Sequence, residues 1–301
     1  MSPLIRVGIT VPPADVVELA AQFRVLEVDT GTEILTDRIV GPWVDRTPEG
    51  FVLDVRAHRL LTHHAAPQES VWPEVRDLLP PELRARKTLY ADDLAPKALD
   101  VALDRFLASI AAVVEFRKLG AVVLPFPSYF RPSSASLDYL AWIRERSDLP
   151  LAVEFRHREW VDSRHRTETM AFLEEQRISY VGVDVPPGFD SSLPPLATAT
   201  AELAVVRLHG RNADAWLRDV DTGDDRFPSE YRRADLDAWV PRLTKLAATK
   251  HPVHAIVTTR GTEGASRNAR LLVRALSEEP SEAPPDPPHQ QTRRRRPPPR
   301  R

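Results

Sequence analysis

The sequence predicts an α/β fold, a TIM-type (β/α)8 barrel followed by a disordered Pro- and Arg-rich C-terminal tail. Three observations support this prediction. Apolar runs typical of strands alternate eight times with segments of helical periodicity. The chain has 301 residues, and barrels of this type commonly use about 250 residues for one domain. Ionisable residues follow several of the runs, as expected where a site lies at the C-terminal ends of the strands.

The eight expected strands are short apolar runs. They cover residues 4–9, 25–29, 51–56, 121–124, 151–156, 178–184, 204–209 and 252–257. Apolar residues recur at helical spacing between them, in residues 15–23, 36–46, 99–114, 137–146, 167–177, 236–246 and 267–277. Pro241 should kink or shorten its helix. Residues 57–96 are too long for an ordinary connection, and they form either a partly helical insertion or a functional loop.

Composition excludes several classes of function. Cysteine is absent, so disulfides, thiolate catalysis and cysteine metal sites are excluded. The chain has no run of about 18 apolar residues that would cross a bilayer. Residues 1–6 lack the basic start and long apolar core of a signal peptide. We therefore expect a cytoplasmic protein that does not enter a membrane.

The formal charge of -2 hides a division between body and tail. Residues 280–301 carry +4, and the preceding 279 residues carry -6. An acidic body argues against a broad phosphate-binding surface, but it allows a local basic pocket. We expect residues 1–279 to form the barrel domain. Residues 280–301, with eight prolines and the Arg293–Arg296 block, should be a disordered tail that contacts nucleic acid weakly at most.

Two of the expected strands carry charged residues on one face. In residues 151–160 (LAVEFRHREW), alternation puts Glu154 and Arg156 on the same face. In residues 203–212 (LAVVRLHGRN), it does the same for Arg207 and His209. Right-handed crossovers bring the C-terminal ends of all the strands to one rim. We therefore expect these residues to converge on one site, together with Asp184 at the end of the strand between them.

These two stretches resemble the YecE-like family, which is also called domain of unknown function 72. The resemblance covers most of residues 4–276 and implies a TIM-type barrel, but it implies no particular reaction. The matching positions are Glu27, Thr62, His63, Glu154, Arg156, His157, Trp160, Asp184, Arg207, His209, Gly210, Arg211, Tyr231 and Asn268.

The chain also departs from the pattern of this family. The Gly- and Trp-containing loop that usually follows the first strand is missing. Asp29, Pro125 and Thr258–Thr259 stand where the family usually has Asn, Gln and paired Asn. These departures indicate either a different ligand or reduced activity.

The candidate residues have the chemistry of an anion site. Arginines bind phosphate as planar, permanently charged forks. Glu154 or Asp184 can act as a general base, and His209 as a proton donor or a metal ligand. The residue types of Asp29, Glu154, Asp184 and His209 are compatible with a divalent metal, but no spacing identifies one. The candidate ligand-binding residues are Asp29, Arg156, His157, Trp160, Arg207 and Arg211, and Arg56 and residues 258–260 also lie at the expected rim.

Structural interpretations of the same residues stay open. A paired charge layer inside the barrel would account for Glu27, Glu154, Arg156 and Arg207, because buried charges persist only with partners. His157 can be an orienting or packing residue, and Trp160 either the floor of a ligand site or a lid over the core. His63, His64 and Arg59 are interpreted as part of a solvated loop.

Two hypotheses of function follow. The first is an enzyme-like barrel that binds a phosphorylated small molecule or a phosphodiester at its C-terminal rim, with phosphoester hydrolysis as the expected type of reaction. The second is a catalytically degenerate barrel that acts as a binding or interaction module, with the basic tail contacting nucleic acid or a partner. The altered rim positions favour the second hypothesis.

Overall fold

The computed structural model describes residues 4–219 and 229–278, and these residues form a closed barrel of eight parallel strands. The barrel strands are Ile5–Val11 (β1), Val25–Val28 (β2), Val52–Arg56 (β3), Leu119–Pro125 (β4), Leu151–Glu154 (β5), Ile178–Asp184 (β6), Ala204–Leu208 (β7) and Val253–Val257 (β8). Each strand pairs with its sequence neighbours, and β1 closes the barrel against β8. The predicted (β/α)8 barrel is confirmed.

The strand register identifies the residues that face the barrel interior. Paired residues of neighbouring parallel strands share a face, and Thr10, Glu27 and Asp54 are paired in successive strands. Arg207 of β7 is paired with Val183 of β6. Glu27 of β2 and Arg207 of β7 bind each other although their strands are not neighbours, so this face is the interior of the barrel.

Helices cover the outside of the barrel. Those with α-helical hydrogen bonding are Val16–Leu19 (α1), Asp37–Asp45 (α2), Pro73–Asp77 (α3), Pro96–Ser109 (α4), Ala111–Glu115 (α5), Ser134–Glu145 (α6), Arg166–Glu175 (α7), Ala213–Asp219 (α8), Arg233–Asp237 (α9), Val240–Ala248 (α10) and Thr262–Ser277 (α11). Buried apolar residues of the helices and strands form one continuous core.

Several element boundaries differ from the sequence prediction. The helix expected over residues 99–114 is divided between α4 and α5 at Ile110. Pro241 is the second residue of α10, and proline is tolerated in this first turn because a residue there needs no N–H donor. Strand β5 ends at Glu154, and the chain then enters the short 3-10 helix Arg158–Val161.

The long segment after β3 is a partly helical insertion, one of the two alternatives drawn from the sequence. It contains 3-10 turns, helix α3 and a two-stranded antiparallel sheet that pairs Ala66–Pro67 with Thr88–Leu89. Its apolar side chains join the main core through Leu60, Trp72 and Val75. The insertion is therefore packed on the barrel.

Two further predictions concern the membrane and the tail. None of the helices in residues 4–219 and 229–278 is long and apolar enough to span a membrane. The predicted tail, residues 280–301, and the domain boundary at residue 279 lie outside the described residues. The division into barrel and tail stays a prediction.

Candidate functional site

A buried network of charged side chains fills the upper interior of the barrel. It consists of Glu27, Glu154, Arg156, Arg207 and His209, which we call the inner network. Arg207 donates from Nη1 to Glu154 and from Nη2 to Oε1 of Glu27, the second bond at 2.7 Å. Thr10 also donates to Glu27 Oε1, at 3.0 Å. The side chains of Glu27, Glu154 and Arg207 are completely buried, so bulk solvent does not reach this bridge across the barrel.

Arg156 and His209 form the upper part of the inner network. Arg156 donates from Nε to Glu154 Oε1 at 2.5 Å, and its guanidinium lies 5.1 Å from the ring centre of Trp216. His209 places Nε2 3.2 Å from the Glu154 carboxylate and Nδ1 2.8 Å from the hydroxyl of Thr258. The expected convergence of strands β5 and β7 is present: their four charged residues share one cluster.

The electrostatics of the inner network fix the charge states of Glu154 and His209. Burial disfavours the charged form of Glu154, but the neighbouring Arg156, Arg207 and His209 outweigh it and hold the pKa of the Glu154 carboxyl well below its ordinary value. Burial lowers the pKa of His209, with Arg156 adding to the effect against the Glu154 carboxylate. Glu154 is therefore ionised and His209 neutral near pH 7. An ionised carboxylate with a lowered pKa is a weak general base.

Asp184 does not join the inner network, so the expectation of one cluster with five members is wrong in this respect. Asp184 pairs in register with Leu208, whereas Arg207 pairs with Val183, so the side chains of Asp184 and Arg207 point to opposite faces of the sheet. The Asp184 carboxylate accepts from the Tyr231 hydroxyl at 2.7 Å and from Trp239 Nε1 at 2.9 Å.

Arg211 completes this second group, which we call the outer cluster: Asp184, Arg211, Tyr231, Asp235 and Trp239. The Arg211 guanidinium binds Asp184 at 2.8 Å and Asp235 at 3.2 Å. Burial, reinforced by the Asp184 carboxylate, raises the pKa of the Tyr231 hydroxyl well above 10.0. Four donors on one carboxylate make Asp184 an anchor for the rim loop rather than a general base.

Asp29 lies apart from Glu154 and binds a different arginine. Its carboxylate Oδ1 is 3.0 Å from Nη1 of Arg56, whose side chain is buried at the end of β3. The Asp29 side chain is 22% exposed, so this ion pair reaches the solvent-facing edge of the barrel. Strands β3 and β5 flank β4, and the register through β4 places Arg56 level with Ala152, four residues before Arg156.

Two other predicted site residues, His157 and Trp160, have structural roles: one caps a short helix and the other packs in the core. His157 Nδ1 accepts from the backbone N–H of Glu159 at 3.3 Å and caps the 3-10 helix after β5. The ring of Trp160 is completely buried, stacks on Phe155 at 3.9 Å, and donates to the Phe130 carbonyl at 2.8 Å. Of the interpretations left open for Trp160, the structure supports the lid over the core.

His63 corrects the interpretation of residues 59–64 as solvated. Its side chain is only 18% exposed and packs against Phe126, Phe130 and Tyr139, with the Tyr139 ring centre 4.5 Å away. The error has a physical cause: the polar composition of the segment conceals an aromatic cluster contributed by distant residues.

Of the four proposed metal ligands, Glu154 and His209 come together, but Asp29 and Asp184 lie elsewhere. Among residues 4–219 and 229–278, no group of three or more His, Asp or Glu side chains is placed to hold a metal ion. Asp29 binds Arg56 and Asp184 lies in the outer cluster. A metal at Glu154 would compete with the guanidiniums of Arg156 and Arg207. The residues present therefore do not fit a divalent metal site.

The sequence interpretation missed three residues that contact the predicted ones. Trp216 of α8 stacks on Arg156, and Trp239 and Asp235 complete the outer cluster. The available signal for Trp216 was a large aromatic residue within an otherwise polar segment after β7. Trp239 and Asp235 carried no such signal, because they belong to an ordinary amphipathic helical pattern.

Fold and site together define a class of protein: a (β/α)8 barrel whose interior holds a bridged network of charged residues near its C-terminal rim. Residues 12–293 match the family model described as protein of unknown function DUF72. The chain belongs to this family, which confirms the resemblance.

One relative of known sequence and two solved structures are similar to this chain. The UPF0759 protein YunF of Bacillus subtilis (strain 168) is 25% identical over 272 residues, which cover 88% of this chain and 84% of the relative. A crystal structure of a DUF72 family protein from Enterococcus faecalis V583 has a TM-score of 0.73 at 23% identity and covers 91% of this chain and 98% of that chain. One from Thermotoga maritima MSB8 has a TM-score of 0.68 at 22% identity, with 91% and 99% covered. These two structures are similar in fold.

Proposed function

We propose that the protein binds an anionic, phosphate-containing ligand at the C-terminal rim of the barrel, with Arg156 as the main anion-binding residue. The observation that carries the proposal is the fixed position of this side chain. Glu154 holds the Nε side of the guanidinium, and the Trp216 ring covers one face at 5.1 Å. A guanidinium held in one orientation loses little side-chain entropy when it binds an anion.

Arg56 supports the same proposal. It is a second buried arginine at the rim, held by Asp29. Strands β3 and β5 are separated by one strand, or roughly 10 Å, and Arg156 lies four residues beyond the level of Arg56. Two guanidiniums separated in this way suit an anion larger than inorganic phosphate, such as a phosphorylated small molecule or a phosphodiester. Arg207 has a different role in this proposal, because its bridge between Glu27 and Glu154 makes it the structural support of Arg156.

The proposal has a catalytic and a non-catalytic form. Phosphoester hydrolysis would rely on His209, whose neutral imidazole is held between Glu154 and Thr258 as a proton donor or acceptor. The non-catalytic form, a binding or interaction module, is favoured by the carboxylates: Glu154 has a lowered pKa and Asp184 has four donors. In that form, the basic residues 293–301 would contact nucleic acid or a partner.

Calorimetric titration with inorganic phosphate and with bis(p-nitrophenyl) phosphate tests the binding. Arg156→Lys keeps the charge but removes the fork, so we expect the affinity for the diester to fall about tenfold, or 1.4 kcal/mol. Arg158→Lys is the matched control, because Arg158 lies two residues further along and its side chain is 63% exposed. Equal affinities in the two variants, or no binding of either anion, would refute the role of Arg156.

A measurement of catalytic turnover distinguishes the catalytic form of the proposed function from the non-catalytic form. Release of p-nitrophenol from the mono- and diester, measured with and without added Mg²⁺, Mn²⁺ or Zn²⁺, should be abolished by His209→Gln if the protein is a hydrolase. Binding without turnover supports the module. For the module, salt-dependent binding of single-stranded DNA that disappears on deletion of residues 280–301 would assign the nucleic-acid contact to the tail.

A further inference from the structure

The opposite end of the barrel contains a cavity of about 830 Å³. It lies at the N-terminal ends of the strands, where Arg6 of β1, Gly120 of β4 and Ser179 of β6 line it. The inner network lies near the other end, so the cavity is separate from the site proposed above. Its volume is within the range of sites for small organic molecules, about 300–1,000 Å³.

Basic side chains dominate the polar lining of this cavity. Arg6, Arg144, Arg177, His251 and His254 line it, against Asp148 and Glu202. Within the described parts of the chain, no carboxylate forms an ion pair with the first three of these residues.

Arg144 of α6 is the clearest example of this excess of basic side chains over carboxylates. Its Nη2 is buried without a hydrogen-bond partner among the described residues. Burial lowers the pKa of the Arg144 guanidinium; Asp148 opposes this, and the neighbouring Arg177 adds a smaller lowering. Two guanidiniums that repel each other across a partly buried space are stabilised when an anion lies between them.

His254 forms a polar part of the wall at the inner end of the cavity, and its side chain is held by Asp54. Its side chain is 3% exposed, and its Nδ1 lies 2.9 and 3.0 Å from the two oxygens of the completely buried Asp54. This carboxylate fixes the orientation of the imidazole. Gly120 makes the pair possible, because a Cβ at this position would lie 2.3 Å from Asp54 Oδ1 and 2.8 Å from His254 Cε1.

Most of the rest of the lining is apolar. It comes from residues before and at the starts of the strands: Val52, Leu119, Leu149, Leu151, Leu203 and Pro252. A cavity with apolar walls and a few convergent polar groups is the usual form of a small-molecule site. The excess of positive charge in the lining favours an anionic ligand. The apolar walls favour a ligand with a hydrophobic body.

We propose that this cavity binds a small organic anion, a carboxylate or phosphate ester with an apolar body, whose anionic group is held by Arg6 and Arg144 and oriented by His254. Nothing in the proposed rim function requires this site. The two sites use different residues at opposite ends of the same barrel.

Calorimetric titration of the full chain with phenyl phosphate, benzoate and benzyl alcohol tests the proposal. We expect at least one of the two anions to bind and the neutral alcohol to bind more than tenfold more weakly. The preferred anion identifies the headgroup as phosphate or carboxylate. Arg6→Gln and Arg144→Gln should each reduce the affinity about tenfold. Arg146→Gln, one residue beyond the end of the helix that carries Arg144 and outside the cavity lining, is the control and should bind like the parent chain.

Crystals soaked in the same anion give a measurement that does not depend on variants. The anionic group should lie within hydrogen-bond distance of Arg6 and Arg144. The proposal is overturned if neither anion binds at millimolar concentration, if benzyl alcohol binds equally well, or if Arg6→Gln and Arg144→Gln leave the affinity unchanged. Loss of affinity in Arg156→Lys instead would place the anion at the rim.

Discussion

The inner network and the outer cluster are built from similar residues on neighbouring strands, yet they have opposite surroundings. In the inner network, Arg207 bridges Glu27 and Glu154, and all three side chains are completely buried. In the outer cluster, the main cation is Arg211, whose side chain is 39% exposed. The bridging charges of the first group are out of contact with bulk solvent, whereas Arg211 of the second group is in contact with it.

This difference comes from the alternation of side chains along a strand. Asp184 and Arg207 lie near the ends of adjacent strands, but Asp184 pairs with Leu208 and not with Arg207. A shift of one residue moves a side chain to the other face of the sheet. Nearness to the rim therefore does not decide whether a charged residue belongs to the barrel interior.

The largest expected effect is that of Arg207→Ala. Removing this residue leaves Glu27 and Glu154 buried without their shared partner, and breaking a buried pair in this way typically costs about 3 to 5 kcal/mol. The free energy of unfolding measured in urea checks this value. Arg211→Ala is the comparison: its guanidinium is partly exposed, so water can reach the carboxylates that it leaves, and we expect a smaller loss of about 1 kcal/mol. Equal losses in the two variants would contradict the inward position of Arg207.

Tyr231→Phe should have an intermediate effect. Its hydroxyl donates to Asp184 at 2.7 Å and accepts from the Gly210 N–H at 2.8 Å. A hydrogen bond to a charged group contributes about 1.5–3 kcal/mol, and water from the exposed side of Arg211 should replace part of it. We expect a loss of about 2 kcal/mol in urea unfolding. A loss as large as that of Arg207→Ala would show that the outer cluster is as inaccessible to solvent as the inner network.

The pH dependence of stability should separate the two groups. In the unfolded chain His209 binds a proton near pH 6.5, but its lowered pKa keeps it neutral in the folded protein, so the inner network loses stability as the pH falls below 6.5. Tyr231 behaves in the opposite sense. Its raised pKa holds the proton in the folded protein, so stability falls as the pH rises above 10.0.

Variants show which residue causes the acid part and which the alkaline part of this pH dependence. Each group contributes at most about 1.4 kcal/mol per pH unit. His209→Gln should reduce the acid slope without removing it, because burial also lowers the pKa of His58, to about 4. Tyr231→Phe should reduce the alkaline slope and leave the acid slope unchanged. Urea unfolding between pH 4 and pH 11, as a rough working range, measures both, and an acid slope unaffected by His209→Gln would show that His209 is protonated in the folded protein.

The sequence was sufficient to predict which residues of one strand lie on the same face. It was not sufficient to predict which residues of neighbouring strands do so. Alternation placed Glu154 with Arg156 and Arg207 with His209, and in the structure Arg156, Arg207 and His209 all contact Glu154. All seven residues of β6 are buried, so its sequence offers no contrast between an inner and an outer face. The outward position of Asp184 depends on the register between strands, which no local pattern encodes.

The same limit applies to residues whose environment is built by distant segments. The ring of Trp160 is enclosed by Phe155 and Phe130, and the cavity at the N-terminal end combines residues from β1, α6 and β8. Composition alone did not indicate a basic cavity in a body that carries -6 overall. It appears only when the fold brings Arg6, Arg144 and His254 together.

The smallest expected effect is that of deleting residues 280–301. This segment contains eight prolines and six arginines but almost no apolar side chains, so it offers little surface whose burial would stabilise the barrel. Thermal unfolding should give the same melting temperature for the shortened and full chains. Deleting residues 272–301 is the control, because it also removes the buried Leu272 and Ala275 of α11 and should lower the melting temperature by several degrees, on the order of 5 °C. A similar drop for the shorter deletion would show that the tail docks on the barrel, and the domain boundary at residue 279 would then be wrong.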